Sequence, residues 1–75
     1  MSDTEAGPAM IYVNGEREPL ASATLAALLE GKAVDASQRG VAVALNGAVV
    51  PRTAWAETVL NPGDSVEIVR ARQGG

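Results

Sequence analysis

An α+β fold, a mixed sheet of about five strands packed on one helix with a short second helix, follows from three features of the sequence. Two runs of β-branched and apolar residues each close on an Asn-Gly pair, at Asn14-Gly15 and Asn46-Gly47, the strongest two-residue hairpin signal. Between them Leu25, Leu28 and Leu29 fall at i, i+3 and i+4, which puts three leucines on one helical face. A last run, Val66-Glu67-Ile68-Val69, follows the turn residues Asn61-Pro62-Gly63-Asp64 and adds a closing strand.

Taken in order, residues 1–9 hold acidic, small and helix-breaking residues and no large apolar one after Met1, so a flexible extension is expected. Met10-Ile11-Tyr12-Val13 is strand-forming, and beyond Asn14-Gly15 the stretch Glu16 to Leu20 returns beside it. Pro19 cannot donate to a ladder, which puts that return strand at an edge or ends it there. Ser22 and Thr24 are candidate N-caps for the leucine helix. Gly31 is the expected left-handed stop, with Lys32 placed to favour the carbonyl end of the dipole.

A polar connection, Asp35 to Gly40, leads to Val41, Val43 and Leu45 alternating with Ala42 and Ala44, a strand with one bulky and one small face. After Asn46-Gly47 the run Ala48-Val49-Val50-Pro51 completes a second hairpin. Trp55, Val59 and Leu60 have helical spacing over a stretch, Thr53 to Leu60, short enough for a single turn or a 3₁₀ segment, with Trp55 as its anchor. In the final strand Val66 and Ile68 are expected to face the core. Asp64 reads as a turn residue whose carboxylate bonds nearby backbone. The resulting order of strands and helices is the β-grasp arrangement of ubiquitin, with residues 10–69 as the domain and 70–75 as a flexible tail.

Composition narrows the function. Seventy-five residues hold one small domain. Of its 47% hydrophobic residues fourteen are alanine and none is phenylalanine, so the core is thin. Cysteine and histidine are absent. That removes thiol and imidazole nucleophiles, His general bases and zinc-thiolate sites, and leaves carboxylates, hydroxyls, Lys32 and the termini as reactive groups. A catalyst is not expected, nor a metal site. From Met10 onward six basic residues stand against seven acidic ones, so no dense cationic stripe exists to neutralise phosphates. Nucleic acid is disfavoured as a partner. Apolar runs such as Val41 to Leu45 are far short of the roughly 20 residues of a membrane span, and residues 1–9 lack the marks of a signal peptide. A cytoplasmic protein, monomeric when free, is expected.

The chain ends Arg70-Ala71-Arg72-Gln73-Gly74-Gly75. Two glycines without Cβ make a thread thin enough for a narrow channel and leave the last carbonyl carbon unshielded. The Gly75 carboxylate is therefore a candidate reaction centre, and Gly74, Gln73, Arg72 and Arg70 are candidate contacts for a partner's channel. Arg70 and Arg72 would pair with acidic partner residues or keep the tail solvated.

Met10 to Gly15, Thr24 to Glu30, Val41 to Gly47, Val49-Val50-Pro51-Arg52, Trp55, Gly63 to Val69 and the final Gln73-Gly74-Gly75 together resemble the sulfur-carrier family of thiamine biosynthesis, ThiS. The likeness covers residues 10–75, and the extension before Met10 departs from it. Sister carriers of molybdopterin synthesis share the fold and the Gly-Gly end. The block from Asn46-Gly47 through Val50-Pro51-Arg52 to Trp55 is more similar to the thiamine branch.

The resemblance implies a protein substrate rather than an enzyme. An E1-like partner, consuming ATP, would adenylate Gly75. A sulfur-donating enzyme would then supply sulfur to give a C-terminal thiocarboxylate, and thiazole synthase would receive that sulfur. No bound cofactor is implied. Two readings of another class compete: an RNA-binding module, since S4-type domains also pair Asn-Gly with a later Gly-Asp before a Val/Ile strand but are typically basic, and a protein-interaction domain with an incidental tail.

Overall fold

The computed structural model describes residues 9–34 and 39–70. Its elements are β1 (Met10–Val13), β2 (Glu16–Pro19), α1 (Leu25–Gly31), β3 (Val41–Leu45), β4 (Ala48–Val49), a 3₁₀ helix (Arg52–Glu57) and β5 (Ser65–Arg70). The five strands form one sheet in the order β2-β1-β5-β3-β4. The last strand is thus the central one. β1 and β5 run parallel, while β1–β2, β3–β4 and β3–β5 are antiparallel.

Both Asn-Gly pairs form the expected hairpin turns. Asn14 and Asn46 each have φ 52, and Gly15 and Gly47 have φ 84 and 88. Positive φ at both central positions defines the type I′ turn, whose twist matches that of the flanking strands. The turns set the registers Val13↔Glu16 and Leu45↔Ala48. Pro19 ends β2 on the outermost strand, where no further strand needs its missing N–H.

Helix α1 starts at Thr24, whose hydroxyl accepts from Ala27 N at 3.2 Å, satisfying one orphan amide of the first turn. Its end differs from expectation. Gly31 is the last helical residue, and the left-handed position falls on Ala33, with φ 62. Val34 N donates to Leu29 O at 2.8 Å and Ala33 N to Glu30 O at 3.0 Å, the paired bonds of a Schellman motif. That motif tucks Val34 into the core, 2% exposed, beside Leu29. The apolar contact across the motif outweighs the steric cost of a Cβ in the left-handed region, and glycine's position in the sequence misleads by two residues.

The core comprises Ile11, Val13, Leu25, Leu28, Leu29, Val34, Val43, Trp55, Leu60 and Val66, with Leu45 and Ile68 packed at its margin. α1 therefore covers one face of the sheet with the three expected leucines. Trp55 closes one end, its indole N–H donating to Val50 O at 2.9 Å, so its polar atom is satisfied at 2% exposure. The segment around it is a 3₁₀ helix that stops at Glu57. Val59 is accordingly not on a helical face. It bridges Thr24 in a single antiparallel pair and stands 62% exposed, while Leu60 is buried. Backbone bonds Leu25 N to Thr58 O and Leu60 N to Ala23 O tie this segment to the start of α1.

Candidate functional site

The candidate site is the end of β5 together with the terminal segment beyond it. β5 is paired with β3 along its length, from Leu45↔Val66 to Val41↔Arg70. Its pairing with β1 is short, Tyr12↔Ser65 and Val13↔Val66. Arg70, assigned to the tail on sequence, is the last residue of the strand. The other expected site residues, Arg72, Gln73, Gly74 and Gly75, lie outside the described residues, as do residues 1–8 of the expected extension 1–9 and part of the polar connection, 35–38.

Side chains of the two turn asparagines brace β5 on opposite sides, a role beyond the turn formation that the sequence predicts for them. Asn14 N donates to Val66 O at 2.8 Å and its Oδ1 accepts from Ile68 N at 2.8 Å, so one residue prolongs the parallel ladder past the end of β1. Asn46 N donates to Ser65 O at 2.7 Å, and its Oδ1 accepts from Ser65 N at 2.9 Å. The amide of Asn46 also donates to Asp64 Oδ1 at 3.0 Å, and Asp64 Oδ2 accepts from Asn61 N at 2.8 Å. Asp64 is the turn residue expected. Asparagine both tolerates positive φ and carries a side-chain acceptor and donor, so one residue type serves the turn and the brace.

Around the exit of β5 lies a groove of about 520 Å³ lined by Val13, Asn14, Glu16, Glu18, Lys32, Ile68 and Arg70. Lys32 Nζ donates to Glu18 Oε1 at 2.7 Å, linking the end of α1 to the edge strand. Its ammonium therefore serves β2 rather than the helix carbonyls. The Arg70 guanidinium instead reaches Lys32 O at 3.4 Å, placing a cation beside the negative end of α1. At the other side Arg52 donates to Val41 O at 3.3 Å and stacks 5.5 Å above the Trp55 ring.

The face of the sheet opposite α1 carries Tyr12, Ala42, Ala44, Val49 and Val69 around Glu67, as the alternation and registers require. Val49 and Val69 are 74% and 60% exposed. This apolar surface adjoins the strand that leads to the tail. Among the described residues no cluster of three or more metal-ligating side chains occurs. The geometry supplies a central strand paired on both sides and an adjoining exposed apolar face.

Such an arrangement of a five-stranded mixed sheet around one helix defines a ubiquitin-like β-grasp protein. The chain belongs to the ThiS family, whose family model matches residues 9–75. It is 39% identical to the sulfur carrier protein ThiS of Thermus thermophilus over 88% of this chain and all of that protein. It is also 42% identical over 87% of its length to a thiazole synthase of Paramagnetospirillum magneticum, of which it spans 20%. The crystal structure of the thiamine biosynthesis protein ThiS from Geobacter metallireducens superposes with a TM-score of 0.70 at 33% identity, covering 88% of this chain and 99% of that one.

Proposed function

We propose that this chain is a sulfur carrier of thiamine biosynthesis and that the Gly75 carboxylate is its reacting group. The observation that carries the reading is the extent of the family match, which runs from residue 9 through the Gly-Gly end at residue 75. A carboxylate is a poor acyl donor because its leaving group would be oxide. An E1-like enzyme removes that obstacle: a Gly75 oxygen attacks the α-phosphorus of ATP, pyrophosphate departs, and the acyl-adenylate carries AMP as leaving group. Sulfide-level sulfur delivered by a sulfur-donating enzyme then attacks the carbonyl carbon, AMP departs with the bonding pair, and a thiocarboxylate remains.

In this reading thiazole synthase is the acceptor. Support comes from the thiazole synthase of Paramagnetospirillum, a fifth of whose length resembles this chain. A carrier-like region within a synthase polypeptide fits two partners that work at close quarters. The chain contributes the acyl group and no catalytic side chain, consistent with its lack of Cys and His. It needs no cofactor of its own, since ATP is consumed by the activating enzyme, and the work is cytoplasmic. Gly74, Gln73 and Arg72 occupy the partner's channel, while Arg70 stays at its mouth.

Two variants of the tail test this. Deleting Gly75 withdraws the carboxylate by about 3.3 Å, beyond attack distance from a bound ATP, so thiazole formation with the activating enzyme and synthase stops while the fold is retained. Gly74→Val keeps length and charge but adds a β-branched side chain to the thread, and activation falls sharply. Thiazole formation at the wild-type rate from Gly75-deleted protein contradicts the proposal.

A further inference from the structure

The two sides of β5 are unequally used. Asn14 N bonds Val66 O and Ile68 N bonds Asn14 Oδ1, so the even-numbered residues of β5 direct their backbone groups toward β1. The odd-numbered ones face β3, as Asn46 N to Ser65 O and the registers Ala44↔Glu67 and Ala42↔Val69 require. β1 stops at Val13 and its turn folds away. Ile68 C=O, Arg70 N–H and Arg70 C=O therefore point along the sheet plane into the groove, and among the described residues nothing pairs with them. A central strand thus carries a short open edge.

We propose that this edge is a strand-addition site, and that its occupant is an extended segment of the enzyme that takes the Gly75 carboxylate. The inference rests on the function proposed above. Five residues follow Arg70, and fully extended they reach only about 17 Å. An enzyme that encloses Gly75 in a channel must therefore have the mouth of that channel against the end of β5. The groove there is lined by the polar side chains of Asn14, Glu16, Glu18, Lys32 and Arg70, and the unpaired backbone groups of Ile68 and Arg70 border it. A partner strand laid beside Ile68 and Arg70 extends the sheet across the interface through main-chain bonds. It also holds the thread straight at the point of entry.

The test separates main chain from side chain. Arg70→Pro deletes the edge N–H without touching the bonds to β3, which Val69 makes. Arg70→Ala removes the guanidinium alone. Binding of each to purified thiazole synthase and to the adenylating enzyme is measured beside the wild-type chain. The expected result is an affinity loss at least tenfold greater for Arg70→Pro than for Arg70→Ala with the adenylating enzyme, which takes the Gly75 carboxylate. Amide exchange decides the matter should Arg70→Pro not fold: the Arg70 amide of the wild-type chain exchanges freely in solution and at least tenfold more slowly in the complex. Equal affinities of two folded variants for the adenylating enzyme, or an Arg70 amide unprotected in that complex, overturns strand addition while the carrier function stands. A wild-type chain that binds neither enzyme overturns both.

Discussion

At the scale of single residues, Gly31 and Ala33 occupy each other's preferred positions. Gly31 is helical, and a Cβ added there meets nothing within 4 Å. Ala33 holds the left-handed position that glycine fills at little cost. Gly31→Ala is expected to stabilise the domain by about 0.5–1 kcal/mol, and Ala33→Gly by a similar amount, since roughly 1–2 kcal/mol of left-handed strain is relieved against the entropy of a glycine. Thermal melts of the single and double variants check this, each kcal/mol raising Tm by about 4–8 °C in a domain this small. A second residue-scale expectation concerns Asn14. Asn14→Gly keeps the type I′ turn but strips the acceptor from Ile68 N, and is expected to cost about 0.5–1.5 kcal/mol and to speed exchange of the Ile68 amide.

At the scale of elements, stability rests on the contact between α1 and the inner face of the sheet. Leu28 is 7% exposed amid Leu25, Leu29 and Val34, so Leu28→Ala is expected to cost about 2–5 kcal/mol through lost transfer energy and a residual cavity. For a domain of this size that is a large share of the total, and denaturant unfolding measures it. The helix, both hairpins and the closing strand were legible because each rests on a local signal: leucine spacing, Asn-Gly chemistry, a Gly-Asp turn. Val34 and the left-handed Ala33 were not. Their conformation is set by a hydrophobic contact made after the helix ends, which no periodicity encodes. Val59 likewise shares the spacing of Trp55 and Leu60, yet the 3₁₀ segment ends before it. The bracing of β5 by Asn14 and Asn46 joins residues 54 and 19 positions apart, and pairing at that distance is invisible to a local reading.

At the scale of the whole molecule, the fold places its last strand in the centre of the sheet and lets the chain leave from there. That strand is held by β3 along its length and by Asn14 on its other side. The family and its fold were readable from the sequence, since the resemblance rests on blocks spread from Met10 to Gly75. The open edge was not, because it arises from the different lengths of two neighbours of β5. The most direct measurement of the central claim is the intact mass of the chain after incubation with the adenylating enzyme, ATP and a sulfur source. The account predicts that the wild-type chain gains the mass of one oxygen replaced by one sulfur, located by fragmentation at Gly75, and that the Gly75-deleted chain gains nothing. An unchanged wild-type mass alongside an enzyme that converts a known carrier, or the same gain in the deleted chain, contradicts it.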